Sequence, residues 1–385
     1  MDEPISNSIG AWAENEKILA EPAALSPPTA KRLDELVAHV ANDPSELLKH
    51  RFLCRGGGLL LVGPTGIGKS SLAMQAMIFW ALGRAAFGIE PARPLKSLLI
   101  QAENDDGDLA EMRDGVLAGL NLSDEEKQAA MKMVVVVRED VRTGLIFFAG
   151  TVRPMLAEHQ PDLLWIDPAL SYLGGEANSQ KDVGGFLRNQ LNPLLREFNC
   201  AVVMVHHTNK PPVGKEKPDW NAGDFAYLGG GSAEWANWAR AVVVIRSLGS
   251  HSVFELRAAK RGGRLRWVEA DGETKTFTKL IGHANEPGVI CWREADASEM
   301  PQTNKAKRTY TKADVLPHVP PDKPISKDVL RSKANTAGIA VNKINPMIAE
   351  LIDDGQLFEW HEKRKGTGPK ILIARFPQPE PELIK

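Results

Sequence analysis

Apolar residues in this chain fall into short runs separated by longer stretches with helical spacing. Six runs are apolar at nearly every position: Leu59–Val62, Ser97–Ala102, Met133–Val137, Leu163–Ile166, Ala201–Val205 and Ala241–Ile245. A strand buried on both faces gives that pattern, and several of them alternating with helices predict a mainly parallel sheet covered on either side. Three later segments, Ser252–Ala258, Leu265–Val268 and Val289–Trp292, alternate more and predict an antiparallel extension. Between the first two strands, Ser71–Leu82 holds Leu72, Met74, Ala76, Met77, Phe79 and Trp80, the density of a packed helix. Asp105–Val116 is also expected to be helical. Upstream, after the break at Pro27-Pro28, Ala30–His50 has helical spacing through Leu33, Leu36, Val37, Val40, Leu47 and Leu48.

These elements divide the chain into an N-terminal arm (1–50), an α/β domain (51–295), a polar linker without period (296–309), a small module (310–376) and a proline-rich tail (377–385). In the module, Ser326 can cap a helix over Lys327–Ala337, and Gly338 ends it. Asn342 is placed to cap a second helix. Its Ile344, Met347, Ile348, Leu351 and Ile352 make one apolar face, with Pro346 in the first turn and Gly355 as the stop. Strands Gln356–Glu362 and Pro369–Phe376 flank the basic segment Lys363–Gly368. Two helices followed by a hairpin with a basic tip resemble a winged helix. Residues 305–376 carry about six net positive charges. Lys333, Asn342, Lys343 and Asn345 are the residues that could face duplex DNA, and a protein partner is the other reading.

Composition narrows the setting. The 385-residue chain has a net charge of −2, so nucleic-acid contact must come from local patches. Cys54, Cys200 and Cys291 are too widely spaced for a disulfide framework or a metal site. With no signal segment and no apolar run near the ~18 residues of a membrane span, a cytoplasmic protein without a membrane partner is expected.

The chemistry centres on Gly63-Pro64-Thr65-Gly66-Ile67-Gly68-Lys69-Ser70, which follows a strand, precedes a helix and fits the phosphate-loop pattern G-x-x-x-x-G-K-[ST]. Its glycines let backbone N–H groups, continuing through Ser71, turn toward phosphate at a helix N-terminus. Lys69 is then expected on the β- and γ-phosphates of ATP, and Ser70 on Mg²⁺. Asp162–Asp167 is an apolar strand ending in a carboxylate, which suits Asp167 as the second Mg²⁺ residue. The second strand runs into Glu103-Asn104-Asp105-Asp106. Glu103 can orient the attacking water while Asp105 or Asp106 caps the next helix; all of them serving only as caps is the alternative. His206-His207 end the strand Ala201–Val205 and can sense the γ-phosphate, serve as a metal pair, or be ordinary strand-end polar residues.

The phosphate loop, Glu103, Asp167, His206-His207-Thr208-Asn209-Lys210 and Gly229-Gly230-Gly231-Ser232 stand in the order seen in RecA-fold ATPases. Over residues 50–265 the chain resembles the plasmid RepA-type hexameric helicases and related ATPases of phages and mobile elements. The resemblance implies a ring, most often a hexamer, of RecA-like domains with ATP bound between subunits. It implies Glu103 as the catalytic glutamate and His207 as the γ-phosphate sensor, with His206 beside it. The loops after Asp167 and His207 would then face single-stranded DNA. Those loops carry Lys181, Lys210, Lys215 and Lys217 with Trp220, Phe225 and Tyr227, suited to phosphate pairing and base stacking, or to packing on their own domain. A cation reaching the neighbour's γ-phosphate is implied near Lys260-Arg261. The family pattern there is Lys-x-Arg, which this chain does not match, so Arg264 and Arg240 are alternatives. The expected function is an ATP-dependent DNA helicase in replication of a mobile element. The alternatives are an ATPase switch or loader that does not unwind, or a DNA-binding regulator.

Overall fold

The computed structural model describes residues 30–37, 43–208, 224–248, 252–300, 310–364 and 367–379. The chain divides into two compact units between Pro301 and Gln302.

The first unit is built on a nine-stranded sheet. Six strands are parallel: β3 (Gly58–Gly63), β4 (Ser97–Gln101), β5 (Val134–Arg138), β6 (Leu163–Asp167), β7 (Ala201–His207) and β8 (Ala241–Ser247). β9 (Val253–Lys260), β10 (Thr278–His283) and β11 (Trp292–Glu294) extend it antiparallel, in the order β11-β10-β9-β8-β3-β7-β6-β4-β5. Successive side chains point to opposite faces of a strand, so each apolar run feeds two cores. Leu59, Leu61, Leu99, Trp165, Val203 and Val243 pack on one face. Leu60, Val62, Ile100, Leu164, Met204 and Val244 pack on the other.

The first face is covered by α1 (Lys69–Ala81), α2 (Asp106–Gly119) and α3 (Asp124–Lys132). α1 is buried almost all round, with α2, α3 and strand β11 packed on it. Gln75 fastens that contact: its amide donates to the Trp292 carbonyl (2.8 Å) and accepts from the Trp292 N–H (2.7 Å). The second face is covered by helical runs over residues 144–159 and 180–197 and by the short helix Glu234–Trp238.

Three expectations fail here. The helix expected over residues 30–50 is not formed at its end: Glu46–Leu48 is a strand, β1, paired with β2 (Leu53–Cys54), and Leu47 and Leu48 are fully buried. Asp43 precedes Pro44, which disfavours helical backbone at that point. Leu265–Val268 is not a strand. Arg261 and Arg266 take positive φ (62° and 55°), so the extended run is broken, while Leu265 and Trp267 are buried from a loop. The third antiparallel element begins only at Trp292, and β10, which no apolar run announced, lies between it and β9.

The second unit has two helices, Lys327–Thr336 and Val341–Asp353, and a three-stranded sheet of Ile325–Ser326, Phe358–Arg364 and Thr367–Ala374. Leu330, Ala334, Ile344, Ile348, Leu351 and Ile373 form its core. Ser326 caps the first helix through the Val329 N–H. The second is capped at Ala340 without a side-chain bond, so Asn342 lies inside the helix, and Pro346 sits beyond the first turn. Asn342 is two residues past the cap because the chain turns into the helix at Ala340, directly after buried Ile339. Replacing Ser326 by Ala is expected to cost this unit about 1 kcal/mol, read as faster amide exchange across the first helix. The side chains of the basic tip lie outside the described residues.

Candidate functional site

Parallel strands bring their C-terminal ends to one edge. There the register sets Gly63 beside His207, and Gln101 beside Asp167. With β3, β7, β6 and β4 adjacent in that order, residues far apart in sequence meet in a row.

The phosphate loop leaves β3 at Gly63. Thr65 and Gly66 are exposed, whereas Ile67 is turned into the core. Gly68 has φ 90°, and a Cβ there would press on His283 and Trp292 at 3.0 Å, so both backbone and space require glycine. Ser71 stiffens the turn, its hydroxyl donating to the Gly68 carbonyl (2.9 Å) and accepting from Trp292 Nε1 (3.0 Å).

Lys69 is only 5 % exposed. Its Nζ donates to the Pro64 carbonyl (2.8 Å) and to His207 Nδ1 (3.1 Å). Burial lowers the proton affinity of this amine, and Asp167 and Glu103 oppose that effect. Because an ammonium only donates, His207 Nδ1 is the acceptor and Nε2 carries the proton. Thr65 Oγ1 lies 3.2 Å from the same Nδ1. His207 Nε2 points toward Glu103 Oε1 at 4.0 Å. Burial, reinforced by Lys69, lowers the His207 pKa, so at neutral pH this is a neutral ring facing a carboxylate rather than an ion pair.

Asp167 ends β6 and is 3 % exposed. Burial pushes its carboxyl up to about 6, with Glu103 adding to the effect and the Ser70 hydroxyl, hydrogen-bonded to it, opposing. A buried carboxylate with one hydroxyl partner and a lysine nearby is short of positive charge. Glu103 sits on the turn between β4 and α2 with its side chain 57 % exposed. The cap of α2 is Asp105, which accepts from the Asp108 N–H at 2.8 Å, so Glu103 is not used as a cap.

Other expected site residues lie elsewhere. His206 is fully buried on the other side of β7, because adjacent strand residues face opposite ways. Its Nε2 bonds to the Gly230 carbonyl (2.8 Å), its ring packs on Trp235, and burial holds its pKa down at about 4. It therefore anchors the Gly229–Ser232 segment and does not reach the phosphate loop. Lys260 and Arg261 lie at the opposite edge of the sheet, since β9 runs antiparallel and Lys260 pairs with Val242. Lys260 Nζ donates to the carbonyls of Ala236 and Ala239 (2.8 and 2.6 Å), and Arg261 donates to that of Arg51 (3.0 Å). Within one copy they cannot serve its own site. Phe225 is buried under the Arg246 and Arg257 guanidiniums, 4.7 and 4.4 Å from its ring centroid, and so is not free to stack on a base. Lys181 and Tyr227 are exposed. Lys210, Lys215, Lys217 and Trp220 lie outside the described residues.

Sequence reasoning missed His283 and Trp292, which wall the phosphate loop from the antiparallel extension, and Gln101 at the end of β4. Trp292 stood in an expected strand, but nothing in the sequence tied that strand to the loop.

Fold and site together define an α/β domain of the P-loop class. Residues 26–213 match the model of a family described as an AAA domain, to which this part of the chain is similar. No curated protein matches the chain. Among solved structures it is similar to one described as an ATPase domain, at 10 % identity and a TM-score of 0.42, over 62 % of this chain and 84 % of that one.

Proposed function

We propose that this chain is a RecA-like ATPase of the hexameric helicase type that couples ATP hydrolysis to DNA. The observation that carries the reading is the meeting of Lys69, Ser70, Asp167, Glu103 and His207 at one sheet edge. The residues fit Mg²⁺ and ATP. Gly66 has open space above it, since a Cβ there would meet nothing within 4 Å. Ser70 and Asp167 offer the hard oxygen donors that magnesium prefers, and Asp167 lacks a full counter-charge. Bound Mg²⁺ would neutralise charge on the β- and γ-phosphate oxygens.

Lys69 then exchanges His207 for phosphate oxygens. Glu103 accepts a hydrogen bond from the attacking water and takes its proton as the water oxygen bonds to the γ-phosphorus and the bond from that phosphorus to the β,γ-bridging oxygen breaks, ADP leaving with the electron pair. His207, freed from Lys69, is left to hydrogen-bond the γ-phosphate and to register its loss. The backbone offers a route outward. The His207 carbonyl accepts from the Gly230 N–H (2.7 Å), and the Ser232 N–H donates to the Ala177 carbonyl (2.8 Å). The segments after β6 and β7 are thus tied to each other and to the sensor. These are the lysine-bearing loops assigned here to single-stranded DNA.

Arg240, Lys260, Arg261 and Arg264 gather at the edge opposite the phosphate loop, where neighbouring cations add to burial in lowering Lys260 and Arg261. That position suits a cation offered to a second copy in a ring. The two helices and three-stranded sheet of the second unit support a winged helix, and Lys333, Asn342, Lys343 and Asn345 are exposed on it for duplex DNA. We place the protein in the cytoplasm, in replication of a mobile element. Among the described residues no helix is long and apolar enough to cross a membrane.

The test is phosphate release with and without single-stranded DNA. The intact chain is expected to hydrolyse ATP faster with DNA, and Lys69→Ala to bind nucleotide about tenfold or more weakly, since it loses a buried charge-assisted contact. Hydrolysis indifferent to DNA would remove the motor reading and leave a bare ATPase.

A further inference from the structure

Gln101 is the last residue of β4 and is 1 % exposed. Its Oε1 accepts two backbone bonds at once, from the Glu103 N–H (2.7 Å) and the Asn104 N–H (2.8 Å). Those two amides are the turn that carries the Glu103 side chain. The turn has a second anchor, the Ala102 N–H donating to the Asp167 carbonyl (3.2 Å), so it is fixed to the strand that bears the magnesium residue. On the far side, the Gln101 carbonyl accepts from the Glu139 N–H (2.9 Å), which holds the end of β4 against the edge strand. The other half of the amide is unused: Gln101 Nε2 is buried without a hydrogen-bond partner. A buried donor left unpaired is costly and unusual in a native fold.

We infer that Gln101 is the positioning residue for Glu103, pinning its turn through Oε1. The inference rests on the ATPase reading for its catalytic consequence, but not for its geometry. A general base helps only when held within hydrogen-bond reach of the proton it takes. The exposed Glu103 side chain has few restraints of its own, its nearest partner being His207 at 4.0 Å. Its aim therefore depends on the backbone that Gln101 holds.

Two variants separate the halves of the amide. Gln101→Met keeps the volume and removes both acceptor and donor. Gln101→Glu keeps the acceptor and removes the donor. Gln101→Met is expected to lower kcat about 10- to 100-fold, with ADP and ATP-analogue affinities changed by no more than about threefold. Gln101→Glu should fall between it and the intact chain. Independently of activity, hydrogen exchange at the Glu103 and Asn104 amides should quicken in Gln101→Met and stay slow in Gln101→Glu. A Gln101→Met protein with kcat within threefold of the intact chain would overturn the proposal. So would a loss of kcat matched by an equal loss of nucleotide affinity, Gln101→Glu no better than Gln101→Met, or unchanged exchange. Should the intact chain release no phosphate at all, it is the ATPase reading that falls, and the exchange rates still decide whether Gln101 holds the turn.

Discussion

Glu103→Gln is expected to lower ATP turnover by about 10²- to 10⁴-fold while leaving nucleotide binding within a few-fold of the intact chain. In free energy that is about 3–5 kcal/mol of lost transition-state stabilisation. The substitution keeps the shape and the backbone of the turn. It does not touch the cap of α2, which is Asp105, nor the two bonds from Gln101, which go to main-chain amides. What it removes is the group that can take a proton from water. His207 does not replace it in this reading, because its Nε2 carries a proton and is given to the γ-phosphate rather than to the water. The variant should therefore hold ATP without splitting it, so that phosphate release and analogue binding part company. Turnover above about a tenth of the intact rate would mean that Glu103 is not the base.

The parallel core of this fold was legible because its strands are apolar runs, and four of them, β3, β4, β6 and β7, lead into candidate site residues. Lys69, Glu103, Asp167 and His207 all follow an apolar run, and the strand order that joins them needs only the usual crossover connections. The same chemistry hid other features. His206 and His207 look equivalent in the sequence, yet a two-residue period sends one into the core and the other to the phosphate loop. The alternation that separates them is present in the sequence itself. β10 reads Thr-Lys-Leu-Ile-Gly-His, with Ile281 fully buried but too few apolar neighbours to announce a strand. Leu47 and Leu48 belong equally well to a helix face and to a short buried strand, and only Pro44 favoured the strand. Phe225 beside basic residues suggested base stacking. Its actual partners, Arg246 and Arg257, come from strands paired two elements away and leave no trace in its own neighbourhood. Gln101 was invisible because its contacts are with backbone, which every residue has.

Asp167→Asn is expected to make the nucleotide-free, magnesium-free protein more stable at neutral pH while removing its use of magnesium. The carboxyl is buried and its pKa stands at about 6, against an ordinary value of 3.8. The folded chain thus binds this proton more readily than the unfolded one. Asp167 favours folding below about pH 4, and the advantage is lost as pH rises through about 6. Above that, the fold carries a buried charge that Lys69 and the Ser70 hydroxyl only partly offset, worth about 3 kcal/mol. Asn keeps the shape, can still accept from Ser70, and carries no charge. Urea unfolding in EDTA at pH 7.5 should show the variant ahead by up to about that amount, with the gap closing toward pH 4. Added Mg²⁺ and ATP should then stabilise the intact chain and not the variant, since an amide is a poor ligand for a hard dication. Equal stability at pH 7.5, or a gap that widens as the pH falls, would mean that Asp167 is not held ionised against its burial, and that the site keeps no charge in reserve for a metal.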